Sequence, residues 1–162
     1  MQNITPFLWF DDNAEEAANY YVSLFKNSKI EQVSAMTVSF RLDGTDFVAL
    51  NGGRRCPDGS ELDPRFELSA SSAVSFVVSC KDQAEVDRLW ADLSNGGTPM
   101  QCGWIRDRFG VTWQIVPDGF VELISSDDKE RSTRAMTAMM EMEKLDIDEL
   151  RRVYYGEETT AK

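Results

Sequence analysis

The sequence predicts an α+β protein made of two tandem βαβββ units followed by C-terminal helices. Three observations carry this. A short apolar run leads into a capped amphipathic helix and then into strand-like segments. The same run-and-cap pattern restarts in the second half of the chain, as an internal repeat. Beyond Pro117 the composition turns helical and methionine-rich. The expected boundaries are unit one at about 1–53, a connecting loop at about 54–72, unit two at about 73–117 and C-terminal helices at about 118–156.

Ile4 to Phe10 is short, apolar and rich in aromatics, which suits a buried strand. Asp12 and Glu15 have capping-box spacing. After them Ala14, Ala17, Ala18, Tyr21, Leu24 and Phe25 fall on one helical face, and the helix should stop near Asn27. Lys29 to Met36 reads as a strand. Met36 to Leu42 alternates, with Val38, Phe40 and Leu42 inward; Asp43-Gly44 is a hairpin turn, and Asp46 to Leu50 is the return strand. Asn51-Gly52-Gly53 ends the unit. The polar segment from Arg54 to Ser72, with Pro57, Asp58-Gly59 and Pro64, is expected to be a loop containing at most a brief strand at Phe66 and Leu68.

Val74 to Cys80 then repeats the first strand, and Asp82-Gln83-Ala84-Glu85 echoes Asp12-Asn13-Ala14-Glu15. Val86, Leu89, Trp90 and Leu93 form the helical face, and Gly96-Gly97 stops the helix. Met100 to Arg106 and Val111 to Val116 are strands joined by Asp107-Arg108-Phe109-Gly110; a third strand would be short and near Gly97. Phe120 to Ile124 makes a short helix. Lys129 to Lys144 makes a helix with Ala135, Met136, Met139, Met140 and Glu143 in line, a stripe that serves either packing or a binding surface. Asp146 and Glu149 cap a last helix through Ile147, Leu150, Val153 and Tyr154, and the tail after Gly156 should fray.

Composition restricts the chemistry. The 162 residues suffice for one substantial core, with 42% hydrophobic and 28% charged residues. There is no histidine, which excludes Ser-His-Asp and Cys-His catalysis and every imidazole metal site. A general acid or base would have to be a perturbed Asp, Glu, Lys, Tyr or Cys, with Glu122 and Asp107 as the carboxylates to consider. Lys plus Arg total 17 and Asp plus Glu 28, a net charge of −11, which argues against nucleic acid or an anionic membrane as partner. No apolar run approaches a membrane span, and Met1-Gln2-Asn3 opens no signal peptide, so a cytoplasmic location is expected. Cys56, Cys80 and Cys102 are few and scattered, which suits reduced thiols rather than a zinc site or a disulfide framework. Cys80 is expected in the core and Cys56 in a loop.

Several stretches resemble one family. These are Phe10-Asp11-Asp12-Asn13-Ala14-Glu15-Glu16-Ala17, Phe47-Val48-Ala49-Leu50-Asn51-Gly52-Gly53, Val74-Ser75-Phe76-Val77-Val78, Gln101-Cys102-Gly103-Trp104 and Asp107-Arg108-Phe109-Gly110-Val111-Thr112-Trp113-Gln114-Ile115-Val116-Pro117, together with the Met-rich C-terminal helix. The chain resembles the PhnB-like proteins, often labelled 3-demethylubiquinone-9 3-methyltransferase, of the glyoxalase/bleomycin-resistance/dioxygenase (vicinal oxygen chelate) superfamily. The resemblance spans nearly the whole chain, with a longer Arg54 to Ser72 loop than the family usually has. It implies that the units form a curled, half-open mixed sheet around a cleft, and that the protein is a homodimer.

In that superfamily metal ligands project from the first and last strands of each unit. The corresponding positions fall at about Thr5, Ala49, Ala73 and Gln114. Two alanines and two neutral oxygens do not suit a divalent metal, so no metal and no cofactor are expected. A methyltransferase of the Rossmann type needs a glycine turn after its first strand, and Asp11-Asp12-Asn13 stands there instead, which makes this a methyltransferase in name only. The expected function is binding of a small organic ligand. Trp9, Trp104 and Trp113 are the candidate walls, and Asn51, Gln101 and Gln114 the candidate orienting groups. Each has an ordinary alternative: core packing for the tryptophans, and sheet-edge or turn hydrogen bonding for the amides. Arg106, Asp107 and Arg108 read as a solvated hairpin, and Gly103 as a bulge or a close backbone approach. The alternative functions are a divergent metal-dependent lyase, isomerase or dioxygenase, or a partner-binding module using the Met-rich helix.

Overall fold

The computed structural model describes residues 5–53 and 74–157. The chain divides into two units at residues 1–69 and 70–162, and the segment expected to be a loop from Arg54 to Ser72 lies outside the described residues, as do Cys56 and Ala73.

Unit 1 runs β1 (Phe7–Phe10), α1 (Ala14–Leu24), β2 (Lys29–Val33), β3 (Thr37–Leu42) and β4 (Thr45–Asn51). Its sheet has the order β1-β4-β3-β2, with β1 parallel to β4 and the other pairs antiparallel. The alternation in β3 and β4 buries Val38, Phe40, Leu42, Phe47 and Ala49, the same side as the buried Ala14, Ala17, Ala18, Tyr21 and Leu24 of α1. Phe40 stacks between Tyr21 and Phe47, with ring centroids 6.3 and 5.4 Å away. The turn at Asp43-Gly44 has positive φ at both residues, as a two-residue hairpin of this hand requires.

The cap of α1 differs from expectation. Asn13, not Asp12, is the N-cap residue, and its side chain makes no capping hydrogen bond. The Ala14 N–H instead donates to Asn51 Oδ1 at 2.8 Å, from the end of β4. A tertiary contact thus satisfies a donor that the local sequence leaves open.

Unit 2 runs β5 (Phe76–Cys80), α2 (Gln83–Ser94), β6 (Thr98–Pro99), β7 (Trp104–Arg106) and β8 (Thr112–Pro117), then α3 (Phe120–Ile124), α4 (Lys129–Glu141) and α5 (Ile147–Tyr155). The sheet order is β5-β8-β7-β6, again with one parallel pair, β5 with β8. The expected short strand near Gly97 is β6. Here the local cap works: Asp82 accepts from Glu85 N–H at 2.9 Å, while the Lys81 N–H donates to Glu85 Oε2 at 3.1 Å. Val86, Leu89 and Leu93 are buried, on the side of Ile105, Trp113, Ile115 and Cys80. Trp90, expected beside them, is only half-buried.

Phe120, Leu123, Ala135, Leu145, Ile147 and Leu150 form the core of the C-terminal helices, against which Val116, Met139 and Met142 pack. The methionine stripe therefore divides, because Met136 and Met140 are exposed. Asp146 caps α5 by accepting from the N–H groups of Asp148 and Glu149. Gln83 joins α2 to α5 with both ends of its amide, donating to Leu145 O at 2.9 Å and accepting from Ile147 N–H at 3.0 Å. Gly103 has φ +79°, and a Cβ there would lie 2.9 Å from Ile115 O and 3.0 Å from Leu145, so a close approach sets this residue. Among the described residues no helix is long and apolar enough to cross a membrane.

Candidate functional site

The two units can be matched residue by residue through their hydrogen-bond registers. β1 pairs Phe7 with Val48, and β5 pairs Val77 with Gln114. The Gly52 N–H donates to Phe10 O where the Asp118 N–H donates to Cys80 O. Val48 thus corresponds to Gln114, and Phe10 to Cys80.

This register moves two of the expected ligand positions, Ala49 by one residue to Val48 and Ala73 by two to Ser75. Ala49 is fully buried on the side of α1; the residue matching Gln114 on the opposite side is Val48. A one-residue shift in a strand reverses the face, which is why the sequence comparison missed it. On the first strands the counterpart of exposed Thr5 is Ser75, which accepts a 2.8 Å hydrogen bond from Gln114 Nε2. The donors at these four positions are a threonine, a serine, a glutamine and no donor at all. Neutral oxygens without a carboxylate or imidazole do not fit a divalent transition metal. Among the described residues no three His, Cys, Asp or Glu side chains group as a metal site would need.

The methyltransferase cofactor fits no better. Each sheet has a single parallel pair, and the turns leaving β1 and β5 are Asp11-Asp12-Asn13 and Lys81-Asp82, not the glycine turn of a Rossmann site.

The six candidate residues separate into two groups. Asn51 caps α1, Trp113 is buried beside Phe76 with ring centroids 5.4 Å apart, and Gln101 is an exposed turn residue whose carbonyl accepts from Trp104 N–H. These are framework positions. Trp9, Trp104 and Gln114 lie on sheet faces turned away from the helices of their units. Trp9 is held by its own unit: its indole N–H donates to Gly53 O at 3.2 Å, and a Cβ on Gly52 would overlap the ring at 2.1 Å. Trp104 and Gln114 are direct partners across β7 and β8. Both are half-buried. Among the described residues the Trp104 indole N–H and the Gln114 side-chain carbonyl have no hydrogen-bond partner, so both remain available to a ligand.

The hairpin between β7 and β8 rests on Asp107, a buried carboxylate. Its Oδ1 accepts from Phe109 N–H at 2.9 Å and Val111 N–H at 3.0 Å, and its Oδ2 accepts from Trp113 Nε1 at 2.8 Å. The solvated reading of this hairpin therefore fails for Asp107. With three donors on it the carboxylate orders the turn and is poorly placed for acid–base work. Arg108 lies over the Phe109 ring at 4.8 Å. Cys80 is buried, and burial pushes its thiol up to about 12, which keeps it protonated and unreactive.

The comparisons with known proteins agree with this architecture. A family model described as 3-demethylubiquinone-9 3-methyltransferase matches residues 2–116. The match ends before α3, so the C-terminal helices, counted within the resemblance on sequence, lie outside it. The structure of a PhnB protein from Bacillus cereus, provisionally described as a 3-demethylubiquinone-9 3-methyltransferase, is 28% identical with a TM-score of 0.59, covering 72% of this chain and 99% of that one. A Pseudomonas aeruginosa protein structure is similar at 20% identity and TM-score 0.52, covering 73% of this chain and all of that one. A Staphylococcus aureus protein is similar at 17% identity and TM-score 0.53, covering 72% and 94% of the two chains; these last two support the fold alone. No curated protein matches the chain. With the family model matched over most of its length, through both βαβββ units, this chain belongs to the PhnB-like family that carries the description 3-demethylubiquinone-9 3-methyltransferase.

Proposed function

We propose that this protein binds a small organic molecule on the face of the unit 2 sheet turned away from α2, without a metal and without a methyl-donor cofactor. The observation that carries the reading is the register pair Trp104–Gln114. A half-buried aromatic surface stands beside an amide, and each keeps an unused hydrogen-bonding group. A few orienting polar groups against an apolar wall is the usual composition of a ligand site. Three neutral donors and a valine at the four superfamily ligand positions support metal-free binding over lyase, isomerase or dioxygenase chemistry. The acidic net charge of −11 supports a small-molecule ligand over nucleic acid. The family resemblance supports a homodimer, and we place the protein in the cytoplasm.

A thermal-shift screen with small planar compounds, on protein treated with a chelator, tests this directly. Stabilisation of the wild type, lost in Trp104→Ala, is the expected result. Stoichiometric iron, nickel, zinc or manganese in protein purified without chelator, with binding lost on its removal, would contradict it. Sedimentation equilibrium tests the dimer, which a strictly monomeric mass would exclude.

A further inference from the structure

The repeat supplies an internal control for Arg106, at the start of the β7–β8 hairpin. In unit 1, β3 and β4 pair Arg41 with Asp46, and the Arg41 Nε donates to Asp46 Oδ1 at 2.7 Å. Glu31 adds a second carboxylate 3.8 Å from Arg41 Nη1. The matching pair in unit 2 is Arg106 with Thr112. The arginine is kept, and the aspartate is replaced by a residue without charge. Among the described residues the Arg106 side chain has no hydrogen-bond or ion-pair partner, and its Nε is buried. A buried guanidinium N–H with no acceptor is costly, so such groups are normally satisfied.

Arg106 lies two residues from Trp104 on β7, hence on the same side of the sheet as Trp104 and Gln114. That side combines an unpaired cation, an aromatic surface with a free indole N–H, and an amide with a free carbonyl. The geometry points to a carboxylate-recognition site: Arg106 takes the carboxylate of a small aromatic acid through its two Nη groups, while the aromatic body lies against Trp104. The planar fork of arginine suits the two oxygens of a carboxylate. The inference rests on the small-ligand reading above and specifies its ligand class. With a net charge of −11 the protein's overall field opposes anions, so the selectivity must come from these short-range contacts.

The test is equilibrium binding of paired probes: benzoate and 2-naphthoate, each against its neutral amide, to chelator-treated protein in about 0.15 M salt. The wild type is expected to bind the acids at least about tenfold more tightly than the amides, as loss of a charge-assisted bidentate contact implies. Arg106→Gln should remove that preference by weakening the acids alone, and Arg106→Lys should restore only part of it. Arg108→Gln, the neighbouring cation, should leave it unchanged. Thermal unfolding of each variant checks that it folds. Equal affinity for acids and amides in the wild type, or an acid preference that survives Arg106→Gln, would overturn carboxylate recognition while leaving the small-ligand reading standing. Failure of both acids and amides to bind would overturn both.

Discussion

The two units share one plan but satisfy their polar groups differently. Unit 1 is internally closed: Asn51 reaches from β4 to cap α1, Asp46 pairs with Arg41, and Gly53 accepts the Trp9 indole N–H. Unit 2 caps its helix locally with Asp82 and orders its hairpin with Asp107, yet among the described residues the Trp104 indole N–H, the Arg106 guanidinium and the Gln114 side-chain oxygen have no partner on one side of its sheet. A repeat that keeps the framework and releases the partners on one copy separates stability from binding.

The largest expected effect is in the unit 2 hairpin. Asp107→Ala removes the acceptor of two backbone N–H groups and of the buried Trp113 indole. It should cost about 3 kcal/mol or more in denaturant unfolding. Asp107→Asn keeps the volume but turns an NH2 toward a donor, and should recover only part of that loss. A cost below about 0.5 kcal/mol would mean the hairpin is ordered by something else.

Next come the helix caps. Asn51→Ala and Asp82→Ala should each cost about 1 kcal/mol, by the usual value of a cap. Asn51→Ala should also weaken the packing of β4 against α1, since its contact spans the unit, whereas Asp82→Ala should be confined to the start of α2. Amide hydrogen exchange along the two helices distinguishes the local from the tertiary cap.

Phe10 and Cys80 occupy matching positions at the ends of β1 and β5, and both are buried. Because burial raises the Cys80 thiol to about 12, it should resist iodoacetamide in the native protein at pH 8 and react only on unfolding. Rapid native alkylation at Cys80, read by mass spectrometry, would show that β5 opens.

The smallest effect should come from converting unit 1 toward unit 2. Asp46→Thr leaves Arg41 only its longer contact with Glu31 and removes an exposed ion pair, so the unfolding midpoint near neutral pH should barely move. Arg41 holds the Asp46 carboxyl below the usual carboxylate range. Its stabilising contribution is therefore present above the ordinary carboxylate value and is lost as pH falls through the lowered one. Wild type and variant should converge in acid.

Much of this architecture was legible in the sequence because its signals are local. The caps at Asp82 and Asp146, the Asp43-Gly44 turn and the inward set Val38, Phe40 and Leu42 each declare themselves within a few residues. Asn51 as a cap was not legible, because its partner lies 37 residues away. Nor was the face of Ala49, which depends on a register that only pairing defines. Trp113 and Trp104 look alike in sequence; one residue of strand parity separates a core residue from a candidate wall. Arg106 gained its meaning only when the registers aligned it with Arg41, whose aspartate partner it lacks.

The most direct measurement is a heteronuclear NMR titration of the metal-free protein with 2-naphthoate. The account predicts saturable shifts at the Trp104 indole, the Gln114 side-chain amide and the Arg106 Nε, with the Trp9 indole and Arg41 Nε of unit 1 unmoved. Shifts centred on Trp9 and Arg41, with the unit 2 signals silent, would contradict it.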